Sequence, residues 1–261
     1  MTSRSIEIST LRIPAEAVKQ LSHENRFAYY LLGHIFNELM ALQKVVAFAF
    51  PKHDDHRPAR FRAELAQSLF LFRLASGKIW EASNAIRSKE VAKLLLDLGL
   101  PQLKDGTARL KAVNKAVSDA AWLAPLRNGM GFHFPTYKDW QRFVTPEEGW
   151  EDDHVFLGTT SGNTFYDGSA NVAHHWMFDL YGLPDPMDAI DPLIEEMIDL
   201  LRLMNSFLED ALGAFVSEVL LNSSMQKSGT VKVIAPEFER VSIPFWTWMP
   251  DRKEAERDAP G

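Results

Sequence analysis

Apolar residues recur at helical spacing near the start of the chain and predict two long helices. In residues 22–49 and again in residues 59–88, apolar side chains return every three or four positions, the period of one helix face. Pro51 ends the first helix, and the loop over residues 51–58 is short, which favours an antiparallel helical hairpin. The predicted buried stripes are Leu31, Ile35, Leu42, Val45 and Ala49, then Phe61, Leu65, Leu69, Phe72, Ile79 and Trp80.

Further helices follow this hairpin, so the pattern predicts a mainly α protein. A short helix is expected between Pro125, which suits a first helical turn, and Pro135, which ends it. The other predicted helices cover residues 89–98, 106–123, 170–180 and 186–221. One face of the last helix is apolar and is formed by Leu193, Met197, Leu200, Met204, Phe207 and Ala211.

A few short segments follow a strand pattern instead. Residues 154–159 and 163–167 flank a Ser-Gly turn, which predicts a small β-hairpin. Residues 231–234 and 241–243 predict extended segments that cross the surface or pair with this hairpin. The charged residues 252–261 predict a disordered end.

The composition indicates the cellular compartment of the protein and argues against one class of nucleic-acid-binding protein. The chain has no cysteine, which excludes disulfides and cysteine-based zinc sites. Residues 1–21 lack the apolar run of a signal peptide, and the longest apolar stretch, residues 45–50, is too short to span a bilayer. We therefore expect a cytoplasmic protein without a membrane segment. The net charge of −7 argues against a protein that coats nucleic acid by bulk charge.

One short segment contains the residue types that RNA cleavage by the neighbouring 2′-hydroxyl needs. Arg127 and Asn128 are followed, after a glycine-rich stretch, by His133. Histidine titrates near neutral pH and can accept or donate a proton. Arginine stays charged and forms paired hydrogen bonds with phosphate oxygens. Asn128 can orient the histidine or the phosphate, and this chemistry requires no metal or other cofactor.

This segment resembles the signature of the HEPN superfamily, in which an arginine and a polar residue precede a histidine by a few positions. The resemblance implies a HEPN-like helical bundle over residues 22–135 that contains the long antiparallel hairpin. The chain would then continue with a β-hairpin insertion and C-terminal helices over residues 136–223, and with an extended tail over residues 224–261. The implied activity is that of a metal-independent endoribonuclease, often a toxin or antiphage effector, that acts on RNA as a homodimer. An antitoxin or a defence-system protein is the implied partner.

The spacing within the motif leaves two arrangements open. Residues six apart on an ideal helix are rotated by about 120° from each other, so Arg127 and His133 do not share one face. Either the long arginine side chain and the glycines bring the two together, or Arg127 of one subunit acts with His133 of the other. The rival interpretation is a non-catalytic module that binds a protein partner or a nucleotide. In that case Arg127 pairs with a core carboxylate and His133 packs beside Phe132 and Phe134.

Four further residues are candidates for supporting the site. Glu38 falls in the apolar stripe of the first long helix, where an unpaired carboxylate would be costly. Arg73, between two apolar residues of the second helix, is the natural partner, so we predict a buried Glu38–Arg73 ion pair. The functional alternative is that Glu38 orients His133 or Arg127. Asn37 and His34 have the same two interpretations.

The remaining chemistry-bearing residues do not predict a metal site. Residues 53–56 have the atoms to bind a metal but lie in a proline-bounded loop without a third ligand, so we expect no metal site. His174 and His175 point about 100° apart on a helix and cannot chelate one ion together. The aromatic residues 245–249 have three interpretations: stacking on bases, a dimer contact, or packing against the core.

Overall fold

In the computed structural model the chain is mainly helical, as the sequence predicts. The structure describes residues 4–51, 58–144, 152–160, 162–183, 186–222 and 227–248. In these ranges, helices form the core and two antiparallel two-stranded sheets lie at its periphery.

Two long helices form the predicted antiparallel hairpin. Helix α2 (His23–Ala49) begins after Ser22, whose hydroxyl accepts a hydrogen bond from the Asn25 amide at 3.1 Å and caps the helix. Helix α3 (Pro58–Ile86) returns beside it. The Ser68 hydroxyl donates to the Ala49 carbonyl at 2.7 Å near the turn, and Lys78 meets Glu38 farther away. These pairs run in opposite directions along the two helices, which fixes an antiparallel register.

The buried stripe of α2 is shifted from the predicted one. Ile35 and Ala49 are buried as predicted, whereas Leu31, Leu42 and Val45 are only partly buried. The helix packs against three neighbours, so its covered face is wider than a stripe facing one partner. In α3, Leu69, Phe72 and Ile79 are buried, Leu65 and Trp80 are partly buried, and Phe61 is exposed. The full buried set of α2 is Ala28, Leu32, Ile35, Leu39, Val46 and Ala49.

The other helices complete the core around this hairpin. The apolar face predicted for the last helix, residues 186–221, is confirmed, because all six of its residues are buried in α9 (Ile190–Ala214). The helices are α1 (Ala15–Lys19), α4 (Lys89–Leu94), α5 (Gly106–Asp119), α6 (Leu123–Leu126), α7 (Tyr137–Trp140), α8 (Asp167–Asp179) and α9 (Ile190–Ala214). Helices α4, α6 and α9 continue into π-helical turns at Leu95–Gly99, Arg127–Gly131 and Phe215–Leu220. Short 3₁₀ turns lie at Leu100–Gln102, Pro186–Ala189 and Phe238–Arg240.

The strands confirm one sequence prediction and correct another. Strands β2 (Val155–Leu157) and β3 (Thr164–Tyr166) form the predicted hairpin. Strand β4 (Lys227–Ala235) pairs instead with β1 (Arg4–Leu11). Residues 231–234 are therefore extended and exposed, as predicted, but the alternative that they pair with the β2–β3 hairpin is wrong.

The N-terminal segment explains this pairing. The alternating Ile6 and Ile8 face Val233 and Val231 across the ribbon, so the apolar side chains of both strands share one face. Residues 241–243 form no strand; the Ile243 amide donates to the Phe48 carbonyl at 3.0 Å.

The aromatic segment packs against the protein. The Trp246 indole donates to the Ala59 carbonyl at 3.2 Å, and the Phe245 ring meets the edge of Phe165 with centroids 5.5 Å apart. The Thr247 amide donates to the Asn163 side chain at 3.1 Å. Trp248 is exposed, whereas Met249 and the predicted disordered residues 252–261 lie outside the described residues.

The helices of the described ranges include no candidate for a membrane-spanning segment. None of the helices there is both long enough and apolar enough to cross a bilayer.

Candidate functional site

The motif helix ends earlier than the sequence predicts. Helix α6 passes into the π-helical turn Arg127–Gly131, and the chain leaves the helix at Phe132. His133 therefore lies on the following loop and not on the same short helix as Arg127, which corrects the expectation that the helix continues to Pro135. Glycines weaken a helix, and π-helical turns are frequent at functional sites.

Two glycines allow close packing around residues 127–133, which we call the motif segment. A Cβ atom on Gly129 would collide with the buried indole ring of Trp176 on α8. A Cβ on Gly77 of α3 would lie 2.6 Å from Cε2 of Phe132. Both positions need glycine because an aromatic ring occupies the space of a side chain. The motif segment is therefore fitted between α3 and α8.

Arg127 is anchored by a carboxylate that the sequence analysis missed. Its Nε and Nη2 donate to Oε1 of Glu81 on α3 at 2.9 and 2.6 Å, and its Nη1 donates to Oδ1 of Asn128 at 2.9 Å. The guanidinium also lies 5.9 Å from the centroid of the Phe132 ring. Both partners of the ion pair remain partly exposed. The sequence signal for Glu81 is weak: it lies one helical turn after Gly77, on the face that receives the motif.

His133 is exposed beside this cluster. Within the described part of the chain, no hydrogen bond or ion pair joins it to Arg127 or Asn128. Its neighbours are also open to solvent: Phe134 is 97% exposed and Tyr137 is 80% exposed. The structure thus brings Arg127 and Asn128 together and leaves His133 on the adjacent loop, among exposed aromatic rings. The expected packing of His133 beside Phe134 is not found.

The predicted Glu38–Arg73 ion pair is wrong. Glu38 binds Lys78 at 2.8 Å and lies 3.4 Å from Nε2 of His34, and its side chain is 38% exposed. The antiparallel register of α2 and α3 sets Lys78 opposite Glu38 and places Arg73 more than one turn away. Asn37 is exposed and lines an open groove between α2 and the C-terminal part of α9. Among the described residues, no hydrogen bond or ion pair joins Glu38 or Asn37 to Arg127, Asn128 or His133.

Arg73 is partly buried, and no carboxylate pairs with it among the described residues. Its Nε and Nη1 are inaccessible to solvent and have no hydrogen-bond partner among the described residues. Burial lowers the pKa of Arg73 to about 10, so it remains charged at neutral pH. It lines a cavity with His174 of α8. Burial, then the charges of Arg73 and His175, lower the pKa of His174 to about 3, so its imidazole is neutral.

The buried His174 predicts acid sensitivity of the fold. Its pKa falls from 6.5 to about 3 on folding, so below pH 6.5 the unfolded chain binds a proton that the folded protein does not. This contribution to stability is complete above pH 6.5 and is lost as the pH falls towards 3. We expect His174 to account for about 2 kcal/mol of lost unfolding free energy between pH 7 and pH 5.

Urea unfolding at the two pH values measures this loss. His174→Gln should show a pH dependence smaller by about that amount. The exposed neighbour provides a matched control, because His175→Gln should keep the wild-type dependence. Equal pH dependence in all three proteins would contradict the burial of a neutral His174.

Metal-binding side chains do not cluster in the part of the chain that the structure describes. No group of three or more histidine, aspartate or glutamate residues there is arranged to hold a metal ion. The loop of residues 53–56, where we expect no metal site, lies outside the described residues.

Comparison with known proteins leaves the site to be interpreted from its own chemistry. No family model, curated protein or solved structure matches the chain.

Proposed function

We propose that this protein is a metal-independent endoribonuclease of the HEPN type. The observation that carries the proposal is the surface of the motif segment, where Arg127 and His133 are both accessible to solvent. Exposed Phe134 and Tyr137 follow this segment in the chain and offer apolar faces. A fixed cation, a free imidazole and exposed rings are the groups needed to bind and cleave a single RNA strand.

The residues divide the reaction between them. His133 accepts the proton of a ribose 2′-hydroxyl, and the 2′-oxygen then bonds to the adjacent phosphorus. The bond from phosphorus to the 5′-oxygen breaks, and the leaving oxygen takes a proton from solvent. Arg127 stabilises the charge that builds up on the phosphoryl oxygens. Glu81 and Asn128 hold the guanidinium in place through the three contacts already described.

A homodimer is part of this proposal. The helix ends between Arg127 and His133, and no contact joins the two side chains within the described part of one chain. A two-fold axis near the motif would place Arg127 of one subunit beside His133 of the other.

The proposed cellular role follows from the chemistry and from the resemblance of the motif. An RNase without a tight substrate requirement is harmful to its own cell, as toxins and antiphage effectors are. We therefore propose a cytoplasmic effector that an antitoxin or a defence-system partner controls.

One observation favours a second candidate function. The Arg127–Glu81 ion pair and the packing of Phe132 against Gly77 both stabilise the contact between the motif segment and α3. A motif that only performs this structural work belongs to a non-catalytic module that binds a protein partner or a nucleotide.

Incubation with RNA separates the two candidates. We expect the purified protein to cut labelled tRNA and total RNA equally well with and without EDTA, and to leave DNA of the same sequence intact. Because the attacking group is the 2′-hydroxyl, DNA is the matched negative substrate. Cleavage that EDTA abolishes would contradict metal independence, and intact RNA in both reactions would favour the binding module.

A further inference from the structure

A second candidate site lies on the other side of α3 from the Lys78–Glu38 pair. A cavity of about 350 Å³ opens where α3, strand β3, helix α8 and the C-terminal segment meet. We refer to it as the Arg73 cavity. Its walls include Gln67, Phe70, Arg73, Phe165, His174 and Phe245.

The Arg73 cavity contains a cation with unpaired donors. Among the described residues the Nε and Nη1 atoms of Arg73 are buried and have no hydrogen-bond partner, so an anion that enters beside the guanidinium would displace no existing partner of these donors. In the described part of the chain the guanidinium lies 5.8 Å from the centroid of the Phe70 ring. Burying such donors without a partner destabilises a fold, which makes this arrangement unusual for a purely structural residue.

The nearby carboxylates of the described chain are engaged elsewhere. On α3, Glu64 pairs with Arg60 at 3.0 Å. At the start of α8, Asp167 pairs with Arg62. The remaining polar groups of the cavity are uncharged, because His174 is neutral and Gln67 donates its amide to the Ile243 carbonyl at 2.7 Å. One positive charge therefore faces the cavity without compensation from these residues.

The other walls are aromatic. Phe165 is buried and its ring meets Phe245 at an angle of 70°, which forms a corner of two ring surfaces. Phe70 lies at the rim and is 48% exposed. Ring pairs at right angles are a favourable arrangement. The Phe156 ring lies parallel to Phe165 with the centroids 6.2 Å apart, so a flat ligand would meet the other face of Phe165 or the ring of Phe245. Neutral His174 adds one hydrogen-bond donor and one acceptor.

We propose that the Arg73 cavity binds a singly charged organic anion, a carboxylate or a phosphodiester, attached to a flat ring. The single unpaired guanidinium selects one negative charge, and the phenylalanine corner selects the ring. The volume is at the small end of the range for ligand pockets, which fits a compact molecule. This inference does not rest on the proposed ribonuclease, because Arg73 is about 12 Å along α3 from Glu81.

Calorimetric titration of the full chain tests the proposal with defined probes. The ring-bearing anions are benzoate and 3′,5′-cyclic AMP, which represent the carboxylate and the phosphodiester. Benzamide and adenosine are their neutral counterparts, and inorganic phosphate and sulfate are anions without a ring. We expect at least one ring-bearing anion to bind at one site per chain, at least tenfold more tightly than its neutral counterpart and the ringless anions.

Two variants and one control variant locate the binding. Arg73→Met should weaken the bound anion at least tenfold, whereas Arg87→Gln, an exposed arginine directly after α3, should bind as wild type does. Phe245→Ala should also weaken binding, because it removes one ring of the corner. Without ligand, Arg73→Met should melt about 2–4 °C above wild type, since an unpaired buried charge is gone. Loss of affinity in this variant therefore cannot be attributed to unfolding.

The contrary outcomes are equally distinct. Tight binding of phosphate or sulfate alone would overturn the requirement for a ring. Equal binding of benzamide and benzoate, or of adenosine and cyclic AMP, would overturn the role of the charge. Absence of saturable binding at millimolar concentration, or unchanged affinity in Arg73→Met, would overturn the site.

Discussion

Replacing His133 by alanine is expected to slow RNA cleavage by about 10²–10⁴-fold, the usual contribution of a positioned acid or base. The side chain is exposed and has no hydrogen-bond partner in the described chain, so its removal opens no cavity. The folded state should therefore be unaffected. Initial rates on a labelled RNA in EDTA, measured beside far-ultraviolet circular dichroism and a thermal melt, give both quantities.

Arg127→Ala is expected to lose a comparable amount through lost stabilisation of transition-state charge. Because Arg127 also binds Glu81, its removal has a structural component that must be separated. Glu81→Gln separates the two components. It keeps the positive charge of Arg127 but weakens the ion pair that holds the guanidinium, so its cleavage rate should fall less than that of Arg127→Ala. His175→Ala and Arg87→Ala, exposed residues outside the motif, should cleave as wild type does. A well-folded His133→Ala protein with the wild-type rate would leave the motif with a structural role only.

A heterodimer of the two inactive variants is expected to recover about half of the wild-type rate. In the proposed dimer, Arg127 of one subunit works with His133 of the other. An Arg127→Ala subunit still supplies His133, and a His133→Ala subunit still supplies Arg127. One of the two sites is then complete, and the other lacks both groups.

Co-expression with two different tags, followed by purification through both, isolates this heterodimer. The two parent homodimers, purified through one tag each, are the controls and should remain inactive. If the site forms within one chain, no site in the heterodimer is complete and its rate should match that of the parents. A monomer by light scattering at tens of micromolar, with full activity, would contradict the dimer itself.

Local patterns in the sequence predicted much of the helical architecture. The apolar face of α9 is correct at all six positions, because that helix has a strong stripe with acidic residues opposite. The stripe of α2 is less accurate, since three neighbours cover the helix and no single period describes its contacts. The hairpin of β2 and β3 was predicted from its turn, which is also a local signal.

Features that depend on distant parts of the chain were not predictable in this way. Strand β1 pairs with β4 from the opposite end of the sequence, and its apolar face exists only once the two are aligned. The same limit applies to Glu38 and Arg73, which were paired by residue type. The register between α2 and α3 instead sets Lys78 beside Glu38 and leaves Arg73 facing α8.

In the candidate site, too, the sequence predicted what depends on residue type and not what depends on contacts between distant parts of the chain. Residue chemistry identifies Arg127, Asn128 and His133, because each brings a group that RNA cleavage needs. It does not identify Glu81, whose role depends on the packing of the motif segment on α3. It also does not show that the helix ends before His133, where Phe132 turns away to pack against Gly77.

The end groups of the RNA products test the central claim most directly. Wild-type protein in EDTA should leave 2′,3′-cyclic phosphate or 3′-phosphate ends, because the neighbouring 2′-hydroxyl is the attacking group. A single 2′-O-methyl or 2′-deoxy residue at the cleaved position should abolish the cut there. Mass spectrometry of the fragments distinguishes these ends. Products with 3′-hydroxyl and 5′-phosphate ends, or cutting at the blocked position, would contradict cleavage through Arg127 and His133 by this mechanism.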